Sequence, residues 1–208
     1  MSDLFQPEVS DEYGVDVTKV MDEANWHTYQ VLTKRSERLR DMRSGPLRFA
    51  AHKRHIWWGV SVENKRYGLP RIEHLRAAPA AIKFLSIEPL LEDLGDVDIS
   101  GIHWAIVGGE SGNGARPMQE PWVENILRLC RKERVAFFFK QWGGVRKGTA
   151  GRRLNNRTYD EMPMPQTHPI PARQIRSSAA TAWDARAKRW GRNPLTQIET
   201  LDLNEVAV

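Results

Sequence analysis

Val135-Ala-Phe-Phe-Phe139, followed at once by Lys140-Gln141-Trp142, is the stretch that decides how this chain folds. Five apolar residues in succession show no alternation between a wet and a dry side, so both faces of the segment are to be buried. That pattern belongs to parallel strands covered by helices rather than to an antiparallel sheet with one face in water. The polar cluster behind it marks the carboxyl end of the strand. Four more runs repeat the layout: Thr28–Thr33 before Lys34-Arg35, Ile56–Val62 before Glu63-Asn64, Ile82–Ile87 before Glu88-Pro89, and Ile102–Val107 before Gly108-Gly109-Glu110-Ser111. Parallel strands end on one face, and such folds build their sites there. The five runs therefore deliver lysines, glutamates, a serine and a glutamine to one rim.

Helix-like stretches separate most of the runs, at intervals of about 20 to 30 residues that fit βα units. The spacing predicts helices over Asp16–Trp26, with Val17, Val20, Met21 and Ala24 on one side, and near Ser36–Met42, stopping at Ser44-Gly45-Pro46. Further helices are expected over Arg71–Ala78, closed by Pro79, and over Pro121–Arg134. The last has Pro121 in its first turn and a stripe of Val123, Ile126, Leu127 and Cys130. A closed eight-stranded barrel takes about 250 residues, and five units cannot close one. The expected fold is α/β: a partial (β/α) barrel of about five parallel strands over residues 1–143. A basic extension rich in Gly, Pro and Arg, irregular in pattern, follows over 144–208.

Composition narrows the function classes. No run of 18 apolar residues exists to span a membrane, and Met1-Ser-Asp-Leu-Phe5 lacks the features of a signal peptide, so the cytoplasm is the expected compartment. Cys130 is the one cysteine and six histidines show no metal-ligand spacing; Cys130 reads as a buried, inert thiol in a helix and no metal is assigned. The net charge of +5 is uneven. Lys140 to Arg192 holds twelve Lys or Arg against Asp160, Glu161 and Asp184, a local +9 that leaves −4 for the rest. With Trp142, Tyr159, Trp183 and Trp190 interspersed, this segment suits contact with a nucleic-acid backbone. A solvated basic tail is the plainer alternative.

The candidate site residues follow from the strand ends. In Val107-Gly-Gly-Glu-Ser-Gly-Asn-Gly-Ala-Arg-Pro117, glycines let backbone amides approach a ligand closely. Arg116 has the fork for a carboxylate or phosphate, and Glu110 suits an amine or ribose hydroxyl. The glycine spacing is neither a Rossmann fingerprint nor a Walker loop, and a tight turn with Arg116 in solvent is the competing reading. Glu88, at the rim of a buried strand, needs a partner or a role. Either Lys34 or Lys140 pairs with it, or it binds a substrate amine or works as an acid or base. Glu63 is similar but, followed by Asn64-Lys65, is expected to be exposed. Lys140, Gln141 and Trp142 form a further group, with Trp142 either flooring a pocket for a planar ring or covering the barrel. Trp57 and Trp58 point to opposite faces and read as core.

Several phrases together resemble one family. They are Met1-Ser-Asp-Leu-Phe5, Tyr29-Gln-Val-Leu-Thr-Lys-Arg35, Trp58-Gly-Val-Ser-Val-Glu63, Phe84-Leu-Ser-Ile-Glu-Pro-Leu-Leu91, Val107-Gly-Gly-Glu-Ser-Gly112 with Ala115-Arg-Pro117, Phe138-Phe-Lys-Gln-Trp-Gly143 and Arg157-Thr-Tyr-Asp-Glu-Met-Pro163. In this order they resemble the phage-associated family of unknown function labelled after phage gene products thirty-seven and sixty-eight. The resemblance implies a radical S-adenosylmethionine-like enzyme, a partial barrel with a 4Fe-4S cluster held by three cysteines near the amino end. Those cysteines have no counterpart here, so the chain resembles an amino-terminally truncated member and is expected to carry no cofactor alone. Under that resemblance Gly108, Gly109, Glu110, Ser111 and Arg116 contact the cosubstrate. Lys34, Glu88 and Lys140 supply the chemistry, and Glu63, Gln141 and Trp142 touch a substrate of nucleotide or nucleic-acid type. The alternative is a non-enzymatic nucleic-acid-binding module.

Overall fold

The computed structural model describes residues 3–145 and 150–190. Five strands, β1 (Tyr29–Thr33), β2 (Ile56–Ser61), β3 (Ile82–Ile87), β4 (Trp104–Gly108) and β5 (Ala136–Gln141), form one sheet in the order β1-β2-β3-β4-β5. All four pairings are parallel. The strands lie within a residue or two of the apolar runs that announced them. The connections carry α2 (Ser36–Ser44), α3 (Lys65–Ala77) and α4 (Glu120–Glu133), while α1 (Asp11–Glu23) precedes the sheet. β3 runs into β4 without a helix. Sequential order with crossovers of one hand puts the helices on one face, and the chain is the expected partial (β/α) barrel.

The two faces of the sheet are filled differently. Trp58, Val60, Leu85, Val107 and Phe137 belong to the large buried cluster that also takes in Leu39, Ile72 and Val123 of the helices. Trp57, Ile82, Phe84 and Trp104 form a second cluster on the other, inner face. The two tryptophans thus serve two cores, and both are fully buried. Register aligns Leu32, Gly59, Phe84, Trp104 and Ala136 in one row of the inner face. The Phe84 ring occupies the space that a side chain at Gly59 would take: a Cβ there would stand 2.4 Å from it. The row above is Ser61, Ser86, Ile106 and Phe138. Leu32, Ile106, Ala136 and Phe138 are only half-buried, so an apolar inner face stays partly open where the sequence pattern predicted cover on both sides. The interior of a closed barrel and the open face of a partial one carry the same apolar residues.

Two helices start earlier than their apolar spacing indicates. α1 begins five residues before Asp16, where the Ser10 side chain accepts from the Tyr13 amide. Its buried contacts are made by Gly14 and Thr18, leaving Val17 and Val20 of the expected stripe half-buried. α3 begins six residues before Arg71, capped by the Asn64 side chain on the Tyr67 amide, and carries Pro70 inside it. Gly68 and Pro70 read as breakers in isolation, yet the cap and the packed Ile72 and Leu75 hold the helix through them.

The basic extension has more order than its composition announces. Asp160 bridges Phe138 antiparallel on the free edge of β5, and Leu154 and Tyr159 are buried in the main core. α5 (Arg173–Ala187) buries none of its residues. It is held against α1 by Trp183, whose Nε1 donates to Glu23 at 2.5 Å, by Arg186 on the same carboxylate, and by the ring of Trp26. Among the described residues no helix is long and apolar enough to cross a membrane.

Candidate functional site

The rim at the carboxyl ends of the strands carries three charged groups. At β1 and β2, Lys34 Nζ lies 2.5 Å from one oxygen of Glu63, and Arg71 Nη1 donates to the other at 2.7 Å and to the Ser61 carbonyl at 3.0 Å. Glu63 is 8% exposed, which corrects the expectation that it lies in solvent. The reason is the early start of α3, which brings Arg71 over the strand end. Burial raises the Glu63 pKa, but the hydrogen bond and charge of Lys34 and then of Arg71 outweigh it and hold the carboxyl below its ordinary range.

Glu88 takes Lys140 as its partner, with Nζ 3.1 Å and 3.3 Å from the two carboxylate oxygens. The two residues follow β3 and end β5, and β4 lies between them. Gly108 makes this reach possible: a Cβ there would stand 2.5 Å from Glu88 Oε1. The carboxylate therefore crosses over the bare backbone of β4. Lys34 and Lys140 both offered themselves to Glu88 in the sequence, and the geometry selects Lys140.

The third group is the glycine loop. Arg116 grips Glu110 with Nε at 2.8 Å, Nη2 at 2.6 Å and its own amide at 2.9 Å. These bonds hold the Glu110 carboxyl down to about 2. The amide of Gly109 donates to the Gln141 carbonyl at 3.0 Å, that of Gly112 to Gly144 and that of Gly144 to Glu110. Gly109 has no room for a side chain, because a Cβ would sit 1.9 Å from the Trp142 carbonyl oxygen. These glycines serve the closure of two strand-end loops on each other. Gln141 joins the same closure, its amide donating to Ser111 Oγ at 2.9 Å. Trp142 packs edge-on against Phe139, 4.8 Å between centroids, and donates Nε1 to the Arg153 carbonyl.

Every rim residue singled out in the sequence thus lies at a strand end, but they meet as pairs. The side chains that sequence reasoning missed are Arg71, the buried Ser61 and Ser86 beneath the rim, and Arg152, whose guanidinium lies 5.2 Å over the Phe138 ring. Only Ser61 and Ser86 left a signal, as polar residues inside otherwise apolar strands.

The residues present do not fit an iron–sulfur cluster, which needs several thiolates. Cys130 lies in α4 within the core, fully buried, and burial pushes its thiol up to about 12. Among the described residues no three His, Cys, Asp or Glu side chains are grouped to hold a metal ion.

Over residues 1–163 the sequence matches the model of a family described as a protein of unknown function, DUF5131. The chain belongs to that family. Its matched span takes in the sheet, the whole rim and the segment that lines the edge of β5, and stops ahead of α5. No curated protein and no solved structure matches the chain.

Proposed function

We propose that the inner face and its rim bind a nucleotide-like substrate, a base lying on the half-buried Ile106 and Phe138 and the charged pair Glu88–Lys140 meeting its polar edge. The observation that carries this reading is the half-buried Ile106 and Phe138, level with Ser61 and Ser86 in the row between the buried Phe84 and Trp104 and that ion pair. Planar rings stack on such a surface, while a carboxylate and an ammonium side by side match the amine and carbonyl of a base. The resemblance of the sequence phrases to a radical S-adenosylmethionine-like family is in keeping with a substrate of this class. It does not supply the chemistry, because this chain's residues do not fit the cluster. The closed pair Glu110–Arg116 would have to open to meet a cosubstrate, and the same holds for the Gly109 amide.

A role in binding without catalysis is the second reading, favoured by the burial of Cys130. The test of the shared claim is photo-crosslinking with an oligonucleotide bearing a photoreactive thymidine analogue. Label in the peptides of Phe84–Glu88 and Phe138–Lys140 is expected, and its loss in Phe138→Ala. Label confined to α5, or none, would overturn the reading.

A further inference from the structure

Beyond the rim, the segment that follows Gly151 makes a hairpin that the reading of the inner face does not use. Leu154 and Arg157 exchange both backbone hydrogen bonds at 3.0 Å. Asn155 and Asn156 between them take φ of 50° and 59°. Two successive left-handed residues closing a two-residue loop make a type I′ turn, and Asn tolerates that backbone better than most side chains. The turn is anchored on all sides. Leu154 is fully buried in the main core, Trp142 Nε1 donates to the Arg153 carbonyl at 2.8 Å, and Asn155 Nδ2 donates to Glu124 at 3.1 Å.

What this rigid turn holds out is arginine. Arg152 is spent on Asp160. Arg153 and Arg157 are exposed, and among the described residues neither forms an ion pair. Arg157 instead lies 5.7 Å from the Tyr159 ring, which also takes Arg131 at 6.0 Å. Elsewhere in the basic extension Lys140, Arg186 and Lys188 are neutralised by Glu88, Glu23 and Asp184. Arg173 and Arg176 are likewise exposed and outside any ion pair among the described residues, but they stand on α5, which buries none of its residues, whereas Arg153 and Arg157 are set by an anchored turn. No apolar side chain is exposed between Arg152 and Thr158, so the turn lacks the aromatic or aliphatic anchor that a protein partner uses. Fixed arginines with adjacent carboxamides are what phosphate and sugar oxygens take.

We propose that the turn Arg153–Arg157 grips the phosphate backbone of a nucleic acid, with Arg153 and Arg157 each taking a phosphate. Arg152 places the turn beside the inner face, since its guanidinium covers Phe138. A strand held at the turn therefore enters the inner face from the β5 side. The proposal rests on the reading of that face as a nucleobase site, and the test separates the two.

The test is fluorescence anisotropy of labelled oligothymidylate with the full chain across a salt series. The wild-type protein is expected to weaken steeply with salt. In the R153Q/R157Q double variant the slope of log K against log salt should fall by about 1.4, at ~0.7 per single-strand phosphate contact. R153K/R157K should keep the wild-type slope, which separates lost charge from a damaged fold. R48Q, an exposed arginine in the turn after α2, should leave it unchanged. Crosslinks at Phe84–Glu88 lost while the salt slope persists would sink the inner-face reading and keep the turn. An unchanged slope in R153Q/R157Q overturns the turn, as does a preference of the wild type for anionic vesicles over the oligonucleotide.

Discussion

Glu63 joins β2, β1 and α3 through two cations, and its depressed pKa makes it a source of stability whose pH dependence has a definite sign. A carboxyl whose folded pKa lies below its unfolded value contributes fully above that unfolded value and loses the contribution as pH falls through the folded one. The window therefore opens below the ordinary 4.5. Glu63→Gln should flatten the fall of Tm as pH drops from about 5 to 3, measured by thermal melts; an unchanged pH profile would show that the contacts with Lys34 and Arg71 add nothing. Gly59 makes a steric claim at the same scale. Gly59→Val must push the Phe84 ring aside, and urea unfolding should show a loss of about 1 to 3 kcal/mol. The Glu88–Lys140 pair was one of two options in the sequence, while the hold of Lys34 and Arg71 on Glu63 was not legible there. A chain of residues states which side chains end a strand but not that Gly108 lets Glu88 pass over β4 to Lys140, nor that Arg71 reaches back across eight positions.

Among the elements, strands were legible and helix starts were not. A strand such as Val135–Phe139 announces itself because burial on both faces leaves an unbroken apolar run. A helix that packs through Gly14 and Thr18, or through a turn containing Gly68 and Pro70, gives no such periodicity. The cues that would have placed both starts are single capping residues, Ser10 and Asn64. α5 is the extreme case, a helix with no buried residue whose docking depends on two tryptophans meeting α1: Trp183 on Glu23 and Trp190 on Asp16. Trp183→Ala should free it. Hydrogen exchange is expected to rise across residues 173–187 while the strands keep their protection. Protection that survives in α5 would mean that it is held by something other than this contact.

For the whole molecule, the shared rim was implied by the repeated pattern of apolar run and polar end, since five strands of one direction must end on one side. The half-open inner face was not, because a barrel interior and an exposed barrel wall have the same composition. Nor did charge totals locate the basic surface. The +9 of the carboxyl segment suggested a diffuse tail, whereas among the described residues ion pairs take Lys140, Arg152, Arg186 and Lys188, and two of the unpaired arginines, Arg153 and Arg157, stand on one anchored turn beside β5. Under the proposed reading a bound strand would pass from the turn over the inner face to the rim.

The measurement that tests this most directly is the crosslink map of a photoreactive oligonucleotide on the full chain, read peptide by peptide. Label concentrated on the β3 and β5 segments around Phe84 and Phe138, and reduced in Phe138→Ala, is the predicted result. Label on the helix-covered face alone, or spread evenly over the surface, would contradict it.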